Sequence, residues 1–344
     1  MRVSIGLHAP LRDIPPLVTR AEALGFDMFV ANETSYEPML MLGAAALASE
    51  HAVLTTGVAL AFPRSPYVMA QAAWEIQRAS NGRLLLGLGS QVKGHMERRF
   101  SIPWAPPGPR MKDYIACLRA IWRTWQYGDA PTYEGEYYRF LRMNPASNPG
   151  PIDHPDIPSV VSAVNPYMAR LAGEEGGFVT HSFTTDRYMR EVLLPNVLAG
   201  AEKRGRKPSE LSIRAGGFIA TGKTEEDVHK MREWVRSRVA YYGSTRSYHG
   251  VLALDGWGEE GAALHRLSME NRWQEMTDLV TDEILDEFCV AGTWEQLPKV
   301  LETRYAGIAT DLSFSANLQN EADAEQIADV VRQIKLIRPF GVDD

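Results

Sequence analysis

The sequence predicts an α/β protein built as a (β/α)8 barrel with insertions. Three observations carry this. Short apolar runs of strand length alternate with longer amphipathic runs almost from end to end, eight pairs in all. The run RLLLGLG at 83–89 shows no polar alternation, as expected of a strand buried on both faces of a parallel sheet. A chain of 344 residues with 45% apolar content suits one large barrel, read as a single domain over 1–344. A doubly wound sheet is the alternative arrangement of the same units.

The elements follow in order. VSIGLH (3–8) is the first strand, and a helix from 13 to 24 follows, with Pro15 and Pro16 in its first turn and Gly25 as its stop. DMFVA (27–31) precedes an Ala/Leu-rich helix over 37–50. VLTTGVAL (53–60) is the third strand, after which Ser65-Pro66 opens a helix ending at Asn81-Gly82. The fourth strand, 83–89, leads to the helix 110–127, whose Tyr114, Ile115, Leu118, Ile121, Trp122 and Trp125 recur at helical spacing. YEGEYYRF (133–140) reads as a small outer hairpin. Strands five to seven are 157–163, 177–182 and 211–220, with helices over 166–174, 185–204 and 224–240. Residues 243–290 are irregular and partly helical, and 243–287 reads as an insertion. Thr293 to Gln296 spells a capping box opening a helix over 294–304, before strand eight (311–316) and a closing helix (322–336).

Bulk properties narrow the function. The net charge of −7 argues against a general nucleic-acid binder. Cys117 and Cys289 lack paired spacing, which fits a cytoplasmic, disulfide-free protein. No apolar run reaches membrane-spanning length.

Two nucleotide motifs are spelled in part. GGFIATGKT (216–224) fits the phosphate-loop pattern, but Phe218, Ile219 and Ala220 continue a strand where that loop must bend. Thr224 and Asp227 there read as a helix cap with an acidic partner. GLGSQVKG (87–94) has Val92 where a dinucleotide fingerprint needs glycine, and reads as a glycine-rich strand exit.

In a (β/α)8 barrel, ligands bind at the carboxyl ends of the strands. That rule selects His8, Asn32, Glu33, Gly57, Val58, Ser90, Gln91, Lys93, His95, Ala163, Val164, Asn165, Pro166, His181, Ser182, Ser315 and Asn317. His8 reads equally well as a hydrogen-bonded core histidine, Glu33 as a loop carboxylate, and Asn165-Pro166 as an N-cap and first helical residue. The basic residues Lys93, Arg98, Arg99, Arg110 and Lys112 read as a solvated face or as a rim for an anionic tail. The set holds no catalytic triad, close acid pair or metal-ligand spacing, so no metal is expected. A site poor in nucleophiles points to a cofactor that carries the chemistry.

The stretch TTGVALAFPRSPYVMAQAAWEIQRASNGRLLLGLGSQ (55–91) resembles the luciferase-like flavin and deazaflavin oxidoreductases, in particular those using coenzyme F420. RMKDYIACLRAIW (110–122), IPSVVSAVNPYMARLAGEEGGFVTHSF (157–183) and FCVAGTWEQLPKVL (288–301) extend the resemblance. It implies a barrel holding a flavin-like ring, with F420 as cofactor and FMN as the alternative. It further implies a strand-3 bulge at Gly57-Val58, often with a non-prolyl cis peptide, that supports the ring. Ser90 and Gln91 would contact the ring or its side chain, and Ala163, Val164 and Asn165 would form the phosphate loop. His8 and Ser182 complete the expected cofactor contacts. A sugar-phosphate dehydrogenase branch has Asp-His where Glu33-Thr34 stands, an acidic residue at Ser90 and a lysine at Thr184, so that activity is not expected. Glu33 or His181 is expected to supply acid/base function instead. The expected activity is hydride transfer between F420 and an unidentified small organic substrate. The alternatives are an FMN-dependent monooxygenase and a non-catalytic cofactor-binding protein. A homodimer is left open.

Overall fold

The computed structural model describes residues 1–215 and 217–342. Its class is the one the sequence predicts, a parallel (β/α)8 barrel with surrounding helices. By internal contacts the chain forms two compact units, residues 4–162 and residues from 163 onward joined by 1–3.

In the unit of residues 4–162, β1 (Arg2–Leu7), β2 (Met28–Ala31) and β3 (Val53–Thr56) pair in parallel, with Leu7 opposite Ala31 and Ala31 opposite Thr56. The strand expected over 53–60 is broken: Ala59–Leu60 forms a separate short β4. Both pieces pair with β5 (Leu84–Gly89), all six residues of which are buried, and β5 pairs with β8 (Ser159–Ala163). The helices are α1 (Ile14–Ala23), α2 (Pro38–Ala46), α3 (Pro66–Ala79), α4 (Lys93–Arg98) and α5 (Pro107–Tyr127). Ser65 caps α3 by accepting from the Val68 N–H at 3.3 Å, as its sequence suggests. Helix α5 starts earlier than the periodicity indicates, with Pro107 at its head, and buries the expected apolar face before Gly128 ends it at φ 75°. The outer hairpin exists as β6 (Tyr133–Glu134) and β7 (Arg139–Phe140). Buried Asp113 of α5 anchors it, accepting from the backbone N–H groups of Tyr137 and Tyr138 and from the Tyr133 hydroxyl.

In the second unit, β9 (Gly177–Thr180), β10 (Ser212–Arg214) and β13 (Asp311–Ser313) form a parallel set in the order β13-β10-β9. Helix α6 (Pro166–Glu175) precedes β9. Helix α7 (Asp186–Tyr188) runs through a π turn at Met189–Leu193 into α8 (Leu194–Lys203). The seventh strand is shorter than expected. Of 211–220, position 216 lies outside the described residues, Ser212–Arg214 joins the parallel set, and Phe218–Gly222 becomes β11. Strand β11 pairs in parallel with β12 (Cys289–Thr293) in a separate two-stranded sheet, with Phe218 opposite Cys289. Helix α9 (Glu225–Gly243) lies between them in sequence. The stretch expected to be irregular and only partly helical is mostly helical: α10 (His249–Leu254), α11 (Gly258–Met269), α12 (Trp273–Asp278) and α13 (Asp282–Phe288). The Gln296 side chain accepts from the Thr293 N–H at 2.9 Å, one half of the expected box, and α14 (Leu297–Tyr305) begins one turn later than expected. Helix α15 (Ala324–Lys335) closes the chain. No described helix is long and apolar enough to cross a membrane.

Candidate functional site

In the first unit the strand ends carry a wall built around the break in strand 3. The peptide between Gly57 and Val58 is cis, at the position where the bulge is expected. Strand β5 explains how the break fits. A Cβ on Gly87 would sit 1.9 Å from the Thr56 carbonyl oxygen, and one on Gly89 would sit 2.4 Å from Val58 Cγ2. The glycines of LGLG thus leave the room that the bent strand occupies.

Glu33 holds the other side of this wall. Its backbone N–H donates to the Val58 carbonyl at 3.3 Å. Its Oε2 accepts from the Leu60 N–H at 2.7 Å and from Arg64 Nη1 at 2.8 Å. Arg64 also donates to Glu37 Oε1 at 2.6 Å, and Glu37 caps α2 through the Leu40 N–H at 2.7 Å. Burial alone would lower the Arg64 pKa, but its bonds to Glu33 and Glu37 outweigh that and raise it. The carboxylate expected to act as an acid or base is therefore already engaged in holding residues 58–64. His8 is exposed, so it is not a core histidine. It and Asn32 come together over Gly6, where a Cβ would lie 3.3 Å from His8 Cδ2 and 3.9 Å from Asn32 Nδ2. Ser90 and Gln91 follow β5 and are half-buried. Gln91 takes a positive φ of 60° and its Oε1 accepts from the Val92 N–H at 2.9 Å.

In the second unit, Ala163 and Val164 are buried while Asn165 is exposed at the head of α6. The Asn165 side chain makes no capping bond, and Pro166 is the first helical residue. The first-turn N–H groups of a ten-residue helix are thus left without a side-chain cap, a setting suited to an anion. The loop is fixed from behind by buried Tyr188, whose hydroxyl donates to the Val164 carbonyl at 3.0 Å. Sequence reasoning missed Tyr188, because a bond to a residue 24 positions away on another element leaves no local signal.

His181 and Ser182 end the β9 exit, both half-buried. His181 Nδ1 accepts from the Phe183 N–H at 3.0 Å. The imidazole packs on Tyr242 with centroids 4.5 Å apart and on Tyr248 at 5.0 Å. Burial lowers its pKa to about 4. Thr184, where a phosphate-binding lysine would stand, is buried and shares a 3.0 Å bond with the Thr180 hydroxyl.

The phosphate-loop letters do not make a site. Lys223 pairs with Asp323 and lies over the Trp294 ring at 5.7 Å. Thr224 and Asp227 form the expected reciprocal capping box. The basic residues after strand 4 are divided among separate tasks: Lys93 pairs with Glu97 at 4.0 Å, and Arg110 covers the Phe62 ring and donates to the Tyr138 hydroxyl at 2.9 Å. Among the described residues no group of three His, Cys, Asp or Glu gathers where it could hold a metal ion.

The profile of the luciferase-like monooxygenases matches residues 2–311. The chain belongs to this family. It is therefore an oxidoreductase built on the family barrel. An uncharacterized protein of Mycobacterium tuberculosis is 38% identical over 289 residues, covering 83% of this chain and 85% of the relative. The 5,10-methylenetetrahydromethanopterin reductase of Archaeoglobus fulgidus is 29% identical over 304 residues, covering 85% and 86%. Among solved structures, the coenzyme F420-dependent tetrahydromethanopterin reductase of Methanopyrus kandleri superposes with a TM-score of 0.75 at 19% identity, covering 97% of this chain and 98% of that one. The family implies a flavin-type cofactor, F420 or FMN, and the residues present fit one. Gly57 and Val58 are half-buried, and a residue without a Cβ lets a flat ring approach, while the uncapped first turn of α6 suits an anionic group.

Proposed function

We propose that this protein is a coenzyme F420-dependent oxidoreductase acting on a small organic molecule. The observation that carries the reading is the lack of an available acid, base or nucleophile among the groups expected to supply one. Glu33 is bound to Arg64 and to the Leu60 N–H, and His181 is neutral at ordinary pH with Nδ1 bonded to its own loop. Chemistry at such a site belongs to a bound redox cofactor. F420, when bound, supplies hydride exchange at its C5 carbon. The choice of F420 over FMN is supported by the dependence of the Methanopyrus kandleri reductase on F420.

The chain's residues then take positioning roles. Gly57 and Val58 present backbone to the ring, with Ser90, Gln91 and His8 beside them. The amides that follow Ala163, Val164 and Asn165 receive an anionic group, with Tyr188 fixing the loop. Ser182 is a further cofactor contact. Fixed dipoles and exclusion of water then favour transfer without reorganisation at the moment of reaction. The test is a fluorescence titration of purified protein with F420 and with FMN. F420 should bind at least tenfold more tightly. Tight FMN binding with F420 ignored overturns the assignment and favours an FMN-dependent monooxygenase. F420 binding with no turnover across a broad panel of carbonyl and alkene substrates favours a cofactor-binding protein without catalytic activity.

A further inference from the structure

His181 has a defined tautomer. Its Nδ1 accepts the Phe183 N–H at 3.0 Å, so in the neutral ring the proton sits on Nε2. Among the described residues nothing accepts from Nε2, and this nitrogen is not among the enclosed polar atoms that lack a partner. It therefore reaches accessible surface as an unused donor.

The ring cannot swing away easily. Tyr242 meets it edge-on at an interplanar angle of 77°, and Tyr248 lies across it at 38°. Both phenols are themselves held. Tyr242 stacks on Phe218 at 6.2 Å, and Tyr248 stacks on Phe183 at 6.1 Å, which in turn stacks on Phe288 at 4.3 Å. The rings packed on it are aromatic, and burial lowers its proton affinity. Burial also raises the pKa of both phenols, that of Tyr248 to about 12, so they stay neutral through the ordinary pH range.

These facts select the ligand. An anion at Nε2 would exchange water for the faces and edges of neutral rings, which is costly. A neutral oxygen acceptor on a flat apolar body satisfies the donor and packs on the rings. We propose that His181 Nε2–H binds the carbonyl oxygen of a flat, neutral organic substrate against Tyr242 and Tyr248. Tyr248 comes from the stretch read from sequence as an insertion, which links that stretch to substrate choice. The ring serves as a fixed hydrogen-bond donor, the role a neutral imidazole plays when it polarises a carbonyl without giving up a proton. The inference rests on the oxidoreductase reading only in naming the ligand a substrate.

The experiment uses the full-length protein and acetophenone as probe, with ethylbenzene as the control that lacks the oxygen. Long-range 1H–15N NMR of the wild-type protein should show His181 as the Nε2–H tautomer, uncharged from pH 5.5 to 9. Acetophenone should move the Nε2–H proton downfield, and ethylbenzene should not. Binding by ligand-observed NMR should weaken roughly fivefold in His181→Phe, the size expected of one neutral hydrogen bond. His181→Gln, which keeps a donor at the Nε2 position, should recover most of the loss. An Nδ1–H tautomer, a titration near pH 6.5, or equal binding of acetophenone and ethylbenzene by the wild-type protein overturns the proposal. So does unchanged acetophenone affinity in His181→Phe. These readouts need no cofactor, so failure of the F420 titration and failure of this proposal are separate results.

Discussion

Two regions of the molecule shape the strand ends by opposite means. The wall at Gly57-Val58 is held by charge and hydrogen bonds, with Glu33, Arg64 and Glu37 closing around residues 58–64. The His181 cluster is held by stacked rings, and burial alone sets its proton affinity. The difference follows from what each must fix. A bent strand has backbone donors and acceptors that lose their ladder partners and must find others. A side chain that offers one donor needs only to be kept from turning, and close aromatic packing achieves this without competing for the hydrogen bond. If this contrast is right, the first region should fail when a charge is removed and the second when pH is changed.

The largest effect is expected at Glu33. Its side chain is 15% exposed and that of Arg64 is 18% exposed, so this ion pair is mostly withdrawn from water. Glu33→Ala leaves the Leu60 N–H without its acceptor and strips Arg64 of one partner. The expected loss is about 3 kcal/mol of unfolding free energy. Glu33→Gln keeps an oxygen for Leu60 and should lose only about half as much, on the order of 1.5 kcal/mol. Urea unfolding monitored by tryptophan fluorescence measures both. A Glu33→Gln variant as stable as the wild type would mean that the charge contributes little, and the contrast with the aromatic cluster would fall.

A smaller effect tests the fit of the bent strand on β5. In Gly87→Ala the new methyl would meet the Thr56 carbonyl oxygen at 1.9 Å, and a main-chain atom cannot rotate out of the way. The expected loss is about 2 kcal/mol. Gly43→Ala in α2 is the control: its Cβ would meet nothing within 4 Å, and alanine should stabilise the helix by up to about 1 kcal/mol. Differential scanning calorimetry should place the two melting points on opposite sides of the wild type. A neutral Gly87→Ala would show that β5 does not shape the break.

The fold was legible because its signals are local. Alternating strand and helix runs, the apolar face of α5 and the Thr224-Asp227 cap all reside within about one helix length of sequence. What escaped depends on partners far along the chain. Strand seven splits because Phe218–Gly222 pairs with Cys289–Thr293, and β12 lies next to a stretch that reads as irregular. The glycines of LGLG looked like a strand exit, since their close approach to Thr56 and Val58 emerges only once the strands are in register. Glu33 looked free for the same reason: Leu60 and Arg64 lie 27 and 31 residues downstream. Strand ends could be chosen by the barrel rule, but the state of each side chain there is set by tertiary contacts.

The last effect sharpens the other side of the comparison, and its sign is fixed. Folding lowers the His181 pKa from its ordinary 6.5 to about 4. Between those values the unfolded chain binds a proton that the folded ring resists, so stability must fall as pH drops from about 6.5 toward 4. Replacing the ring by phenylalanine removes this one titration and leaves all others in place. His181→Phe also leaves the Phe183 N–H without its acceptor, a cost that does not vary with pH. The informative quantity is therefore the slope. Between pH 7 and pH 4 the wild-type protein should lose about 2 kcal/mol more than the variant, given about 1.4 kcal/mol per pKa unit and partial access of water to the ring. Urea midpoints at half-unit pH steps would show it. Parallel curves would mean that the ring titrates normally in the folded protein, and that a charge or water not accounted for by Tyr242 and Tyr248 stands beside it.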